Sequence, residues 1–310
     1  MSDPVKACEK EVREKEARTF EVKSANLGVL QVIHRDCPLC GRDNSDQPDN
    51  PYSYDVWTIK DCPSCGFTYI DRGPDYAKLF EELSWETTTA VEEQRRADLR
   101  PLGYKASKLT RLRMRLLPRK QMPLMLEAWA MPGNVVDLGC GDGGPLDKLG
   151  PGFVPFGIEV STALAKAADT RFSIHGGACV NAATLDGLRA FGDNFFSAAT
   201  LRSYLEHEMN PLPVLAELQR VLKPGGVAII KVPNYGSLNR MVMGAKWCGF
   251  RYPDHLNYFT PATLKKMARK AGFAVHFGLT YTLPTSDNMY AVLKKDGGRV
   301  KRTKCGGGCC

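Results

Sequence analysis

The hydrophobic and polar positions of the second half of the chain alternate between short β-branched runs and longer stretches with helical spacing. The short runs predict strands at residues 135–138, 154–158, 171–174, 195–201 and 227–233. Helical spacing predicts helices at 161–170 and 211–222, and a third helix begins at Pro261 and ends before Gly272. Alternation of this kind is typical of a parallel sheet with helices on both faces.

The pattern ends in two strand candidates, 273–280 and 289–294, which are connected by a loop containing Pro284. Such a close pair predicts an antiparallel addition to the sheet, because antiparallel strands need only a short connection. We therefore expect an α/β fold with a Rossmann-like, mainly parallel, seven-stranded sheet whose last strand is antiparallel.

A glycine-rich turn follows the first of these strands, in the stretch Val135–Gly144. Gly139, Gly141 and Gly144 satisfy the pattern G-x-G-x-x-G, which predicts a nucleotide cofactor at a strand-to-helix turn. Glycine has no Cβ and lets a ligand approach the backbone closely. Glu159 lies 20 residues past Gly139, at the end of the second strand, where an acid binds the ribose hydroxyls of either a nicotinamide dinucleotide or S-adenosylmethionine.

Three features favour S-adenosylmethionine over the dinucleotide. Asp137 precedes the first glycine by two residues, and a carboxylate there suits a ligand that carries an ammonium and a sulfonium. A Leu-Lys-Pro-Gly-Gly turn at 222–226 leads into the next strand and into Asn234. The closing antiparallel strands are the third feature.

These motifs resemble the class I S-adenosylmethionine-dependent methyltransferases over roughly residues 126–295. The stretches that carry the resemblance are 135–143, Glu159, 204–207, 222–226, 232–234 and 253–261. Within this class the chain is similar to ubiquinone-type O-methyltransferases. The resemblance implies that the backbone of Gly139, Cys140 and Gly141 wraps the methionyl and ribose part of the cofactor. It also implies that Asp137 holds the amino group through a water or the backbone, that Glu159 binds the ribose hydroxyls, and that Asn181 offers the only polar group on the adenine side.

Two histidines are the candidate catalytic bases for an acceptor that must lose a proton. His207 follows the fourth strand and His255 lies in a loop after the fifth, so both belong to the edge where open α/β sheets bind ligands. The structural alternatives are helix capping for His207 and a loop-pinning hydrogen bond for His255. In the ubiquinone subgroup two glutamates and a histidine bind a divalent metal. Glu206 and His207 match that pattern but Ser203 replaces the first glutamate, so we predict no catalytic metal.

Two Cys-x-x-Cys-Gly motifs near the N-terminus, separated by 21 residues, predict a structural zinc site formed by Cys37, Cys40, Cys62 and Cys65. Strand-like runs at 54–59 and 67–70 complete a zinc-ribbon-like module. This part resembles bacterial methyltransferases that carry a zinc-binding N-terminal module. Four unrelated free cysteines and a redox pair are the alternatives.

The net charge of +8 is concentrated in the stretch between these two regions. Residues 95–120 contain ten basic residues and one acid, within a helical connector that we place at 76–125. A solvated helix face explains this charge, and a surface for a phosphate-bearing substrate, RNA or anionic lipid is the alternative. Aromatic residues do not interleave the basic ones, so nucleic acid is not the favoured partner.

The predicted domains are a charged N-terminal segment at 1–30, the zinc-ribbon-like module at 31–75, the connector, a methyltransferase domain at 126–295 and a disordered Gly/Cys-rich basic tail at 296–310. The N-terminus lacks an apolar leader and no apolar run would span a bilayer, so we expect a cytoplasmic protein. We predict a methyltransferase that acts on a small-molecule or glycan acceptor at oxygen or carbon. An RNA methyltransferase and a non-catalytic binding module with the same fold are the alternatives.

Overall fold

A computed structural model describes residues 18–25, 28–74, 122–278 and 283–296. The charged segment 1–17, most of the helical connector and the tail from residue 297 lie outside the described residues, and so do the predictions made for them. Within the described residues, no helix is both long enough and apolar enough to cross a membrane.

The N-terminal module, residues 18–74, contains five short strands. Their bounds are β1 Thr19–Ser24, β2 Gly28–His34, β3 Ile59–Asp61, β4 Thr68–Ile70 and β5 Arg72–Pro74. Strands β1, β2 and β5 form an antiparallel sheet, and β3 pairs with β4. The strand expected at 54–59 is mostly a loop, closed by an isolated bridge between Tyr54 and Trp57, because β3 begins only at Ile59.

The central sheet contains seven strands from the second half of the chain. They are β6 Gly133–Leu138, β7 Phe153–Glu159, β8 Ala178–Asn181, β9 Phe196–Arg202, β10 Leu222–Pro233, β12 Phe273–His276 and β13 Asn288–Lys295, and β11 (Asn257–Tyr258) lies outside this sheet. The spatial order is β12-β13-β10-β9-β6-β7-β8, and β13 runs antiparallel to both of its neighbours. The predicted Rossmann-like sheet with an antiparallel last strand is confirmed.

Six α-helices accompany these strands in the described part of the chain. They are α1 Met122–Trp129, α2 Thr162–Ser173, α3 Thr184–Arg189, α4 Pro211–Val221, α5 Leu238–Met243 and α6 Pro261–Lys270. The strand predicted at 171–174 is wrong, because α2 continues through Ser173. Ala165, Ala168 and Phe172 are its buried residues, and their spacing is that of one helix face. The third strand of the sheet is β8 instead.

The N-terminal module packs directly against the second half of the chain. Strand β4 pairs with β11, so one three-stranded sheet contains residues of both regions. The rings of Phe67 and Phe259 lie 5.2 Å apart within a shared hydrophobic core. From helix α6, the ammonium groups of Lys266 and Lys270 donate to the carbonyls of Cys65 and Leu39, each at 2.9 Å. The module therefore braces the loop that precedes α6.

Candidate active site at the carboxyl edge of the sheet

The glycine turn, residues 139–144, crosses from β6 towards the end of β7. The backbone amides of Gly139 and Cys140 both donate to the carbonyl oxygen of Ile158, at 2.9 and 3.3 Å. Gly139 and Gly141 have φ of +67° and +58°, a conformation that favours glycine. A Cβ on Gly139 would lie 2.9 Å from the ring of Tyr204, whereas no atom lies within 4 Å of a Cβ built on Gly141. The turn thus leaves an open cradle beside Gly141.

The Glu159 carboxylate lies at this cradle and is 9% exposed. Its two oxygens accept hydrogen bonds from the backbone amides of Gly141 and Ser161, both at 2.9 Å. Each carboxylate oxygen can accept more than one hydrogen bond. The site therefore keeps acceptor capacity for two hydroxyl groups, which fits the ribose of an adenosyl cofactor.

Asp137 is the second buried acid of this edge. It accepts a 2.7 Å hydrogen bond from the hydroxyl of Thr200 on β9. Burial raises the pKa of Asp137 to about 7, and the Thr200 hydrogen bond opposes that shift in part. Asp137 and Thr200 share a small recess whose other lining residues are Met122, Pro123, Pro145, Leu146 and Arg202. A ligand ammonium in this recess would favour the ionised carboxylate.

Asn181 and Cys140 have partners within the protein. The Asn181 amide donates to the carbonyls of Glu159 and Val160, both at 2.9 Å, and accepts from the Thr162 hydroxyl at 3.0 Å. These bonds tie the ends of β7 and β8 together. The sulfur of Cys140 lies 3.6 Å from that of Cys179. The adenine contact of Asn181 stays a prediction, and its amide hydrogens already have acceptors.

The structure brings His207 and His255 together, although they lie far apart in the sequence. Their ring centroids are 4.8 Å apart and the rings are nearly perpendicular. Nδ1 of His255 lies 2.8 Å from the Gly249 carbonyl oxygen, so the loop-pinning contact considered for this residue is present. Burial and the charge of Arg251 lower the pKa of His207 to about 4, so its imidazole is neutral near pH 7.

The buried acid beside this histidine pair is Glu206, which the sequence analysis named as a match to the subgroup's metal pattern but did not include among the predicted site residues. Glu206 is 1% exposed, and neither carboxylate oxygen accepts a hydrogen bond from another residue in the described part of the chain. Burial raises the pKa of Glu206 to about 8. We call Glu206, His207 and His255 the acceptor-side cluster.

The four predicted cysteines form a second cluster, within the N-terminal module. Their sulfurs all lie within 4.8 Å of one another, with Cys37–Cys65 and Cys40–Cys62 contacts of 3.4 and 3.5 Å. The amides of Gly41 and Gly66 donate to the carbonyls of Cys37 and Cys62, each at 2.8 Å, so the two turns share one backbone pattern. Zn–S bonds of about 2.3 Å in a tetrahedron put sulfurs about 3.8 Å apart. The cluster has the donors and the spacing that a zinc ion needs.

The fold, the glycine turn and the acid at the end of β7 define a class I S-adenosylmethionine-dependent methyltransferase. A family model described as a methyltransferase domain matches residues 95–276, more than half of the chain, and the chain belongs to this family. The prediction of an S-adenosylmethionine-dependent enzyme is confirmed.

Two curated relatives are similar over about half of this chain. The ubiquinone biosynthesis O-methyltransferase of Thiobacillus denitrificans is 29% identical over 158 residues, which cover 48% of this chain and 68% of that protein. The protein of the same name from Paraburkholderia phymatum is 29% identical over 165 residues, covering 50% and 71%. Among solved structures, a SAM-dependent methyltransferase of Thermotoga maritima aligns with a TM-score of 0.45 and 18% identity, over 57% of this chain and 88% of that one.

Proposed function

We propose that the protein transfers the methyl group of S-adenosylmethionine to a hydroxyl of a small-molecule or glycan acceptor. The bound cofactor supplies a methyl group already activated by its sulfonium. Glu159 binds the ribose hydroxyls, and the backbone of Gly139, Cys140 and Gly141 encloses the methionyl and ribose part. Asp137 binds the amino group and Asn181 lies on the adenine side. The open cradle beside Gly141 and the buried Glu159 carboxylate support this assignment.

The acceptor side is formed by His207 and His255, which orient the acceptor and take its proton. The observation that carries this proposal is the contact between the two imidazoles, whose ring centroids lie 4.8 Å apart although the residues come from separate segments. The ring of Tyr204, in the same turn as His207, lies against Gly139, which supports a short path from cofactor to histidine. A neutral imidazole can accept a proton, and holding both reactants in line contributes much of the rate.

A small-molecule acceptor is supported by the names of the similar proteins, which are ubiquinone biosynthesis O-methyltransferases. Methylation at carbon uses the same groups and differs only in the acceptor atom. The basic stretch 95–120, which suggested RNA, lies outside the described residues. The experiment below must therefore distinguish an RNA acceptor from a small-molecule or glycan acceptor.

We also propose that Cys37, Cys40, Cys62 and Cys65 hold a structural zinc ion in a zinc-ribbon-like module. Four thiolates leave no open coordination position, which fits a structural role better than a catalytic one. The sheet shared by β4 and β11 supports a mechanical role, because β11 directly follows His255 and Leu256. The zinc would thus stabilise the loop that carries one of the two histidines.

The test is methyl transfer from labelled S-adenosylmethionine to fractionated cell extract. We expect label in the small-molecule or polysaccharide fraction with the wild-type protein, and none above background with Glu159→Ala. The matched variant His207→Ala should lose transfer but keep cofactor binding by calorimetry. Nuclease-sensitive label in the RNA fraction would show that the acceptor is RNA and not a small molecule or glycan. Transfer by Glu159→Ala equal to that of the wild type would contradict the cofactor assignment.

A further inference from the structure

Two cysteines outside the N-terminal module lie in contact at the glycine turn. The sulfur of Cys140, in the turn itself, lies 3.6 Å from that of Cys179 on β8, although the two residues are 39 positions apart in the sequence. Both are free thiols. The sulfurs of a disulfide lie about 2.05 Å apart, so a closure of about 1.5 Å would join them. The pair is therefore within reach of a disulfide bond.

A glycine in the strand between them allows this contact. Gly157 on β7 is in register with Cys179 on β8, and neighbours in register present their side chains on the same face of a sheet. A Cβ built on Gly157 would lie 2.5 Å from the sulfur of Cys140 and 2.8 Å from the ring of Phe172. The thiol of Cys140 thus lies over Gly157 and reaches across β7, which a side chain at this position would prevent.

The two thiols differ in their access to solvent and in their acidity. Strand β8 is at the edge of the central sheet, and Cys179 is partly exposed there, whereas Cys140 is 2% exposed. Hydrogen bonding between the two sulfurs lowers the pKa of Cys179 and, together with burial, raises the pKa of Cys140. Redox-sensitive pairs combine an accessible thiol of low pKa with a second cysteine that resolves its oxidised form. Cys179 fits the first role and Cys140 the second.

We propose that Cys140 and Cys179 form a site of reversible oxidation by hydrogen peroxide that controls cofactor binding. The Cys179 thiolate attacks one peroxide oxygen, the O–O bond breaks, and a sulfenic acid and hydroxide form. The sulfur of Cys140 then attacks the sulfenic sulfur, so that the S–S bond forms, the S–O bond breaks and the oxygen leaves as water. In sum the two thiols lose two electrons and two protons, and hydrogen peroxide is reduced to two waters.

The bond would deform the glycine turn more than β8. The amide of Cys179 donates to the Asp169 carboxylate of α2 at 2.9 Å, and its strand is paired with β7. Cys140 directly precedes Gly141, whose amide donates to Glu159 at 2.9 Å. Closure therefore draws the turn towards β8 and disturbs this hydrogen bond. The inference rests on the proposed function, which takes the turn and Glu159 to be the cofactor site.

The test is treatment of the full chain with hydrogen peroxide, followed by removal of the oxidant, peptide mapping by mass spectrometry and calorimetry with S-adenosylmethionine. We expect a peptide pair linked through Cys140 and Cys179. We also expect a cofactor affinity about tenfold lower, on the order of one lost hydrogen bond to a charged group. Dithiothreitol should restore the affinity of the reduced protein. Cys179→Ala and Cys179→Ser should bind the cofactor like the reduced wild type both before and after peroxide.

These two variants keep the cysteine cluster of the N-terminal module, so any loss of affinity caused by oxidation there would also occur in them. Cys248→Ala, at an exposed cysteine elsewhere, is the matched control and should respond to peroxide like the wild type. Absence of the Cys140–Cys179 link, unchanged affinity of the linked protein, or an equal loss in Cys179→Ala would overturn the proposal. Each of these results leaves the proposed methyl transfer standing, whereas a reduced wild type that does not bind S-adenosylmethionine would refute the proposed function instead.

Discussion

Two buried glutamates mark the two halves of the site, and they differ in their partners. Glu159 is 9% exposed and its oxygens accept two backbone hydrogen bonds. Glu206 is 1% exposed and its oxygens accept none from other described residues. In the proposed assignment, the acid of the cofactor half thus has its hydrogen-bond donors as folded, whereas the acceptor half contains a buried carboxylate without a hydrogen-bond donor in the described residues. The difference indicates that the chain prepares one ligand site fully and leaves the other to be completed by what binds there.

The two halves also depend on different parts of the chain. The partners of Glu159 come from the adjacent glycine turn and from the start of α2. The backbone of Glu206 is bonded to the loop before α6, and strand β11 of that loop pairs with β4 of the N-terminal module. A substitution that destabilises the N-terminal module should therefore destabilise the acceptor half before the cofactor half.

The largest predicted effect is that of removing the proposed zinc ion from the cysteine cluster. Cys62→Ser should lower the free energy of unfolding of the N-terminal module by about 5 kcal/mol or more, because metal binding contributes directly to folding. Amide hydrogen exchange should rise at residues 249–258 and stay low at 133–139. Cys248→Ser, at an exposed cysteine outside the cluster, is the control. Equal protection of both regions in Cys62→Ser would contradict the dependence of the acceptor half on the module.

The next effect concerns Asp137 in the cofactor half. Its folded pKa of about 7 lies above the ordinary value of 3.8, so the unfolded chain loses this proton first as the pH rises. The stability of the cofactor-free protein should therefore fall between about pH 4 and pH 7 and then level off. This loss of folding stability, the penalty for ionising Asp137, reaches at most about 4 kcal/mol for a shift of about three pKa units.

Asp137→Asn removes this penalty and keeps an acceptor for the Thr200 hydroxyl. Denaturant unfolding at several pH values should give a stability difference between variant and wild type that grows from pH 4 to pH 7. A constant difference over that range would show that Asp137 ionises in the folded protein as it does in the unfolded chain.

A smaller effect with opposite signs is expected when each glutamate is replaced by methionine. Glu206→Met should raise the free energy of unfolding by about 1 to 2 kcal/mol, because it removes a buried carboxylate that has no hydrogen-bond donor in the described residues. Glu159→Met should lower it by a similar amount, because two backbone amides lose their acceptor. Thermal unfolding of both variants measures these two changes in stability. A change of the same sign in both variants would contradict the contrast between Glu159 and Glu206.

The cofactor half could be predicted from the sequence because its signals are local. The glycine turn, Asp137 and the acid that ends β7 all lie within one strand–turn–strand stretch, and hydrophobic periodicity gave the sheet around them. The strand predicted at 171–174 failed because Phe172 belongs to the buried face of α2. A short apolar run does not distinguish a strand from the last turn of a helix.

The acceptor half could be predicted only in part, because its geometry arises from contacts between distant segments. His207 and His255 were both identified as candidates, but their contact and the burial of Glu206 depend on the loop before α6 folding back onto the turn after β9. The pairing of β4 with β11 had no signal in the sequence, since β11 contains only two residues, too few to show periodicity.

The most direct test of this account is calorimetric titration of S-adenosylmethionine into three proteins: the wild type, Glu159→Gln and Glu206→Gln. We predict saturable binding of one cofactor per chain by the wild type. Glu159→Gln should bind about 100-fold more weakly, since charged hydrogen bonds contribute about 1.5 to 3 kcal/mol each, and Glu206→Gln should bind like the wild type. Equal affinities of Glu159→Gln and the wild type, or a loss confined to Glu206→Gln, would contradict the division of the site into a cofactor half and an acceptor half.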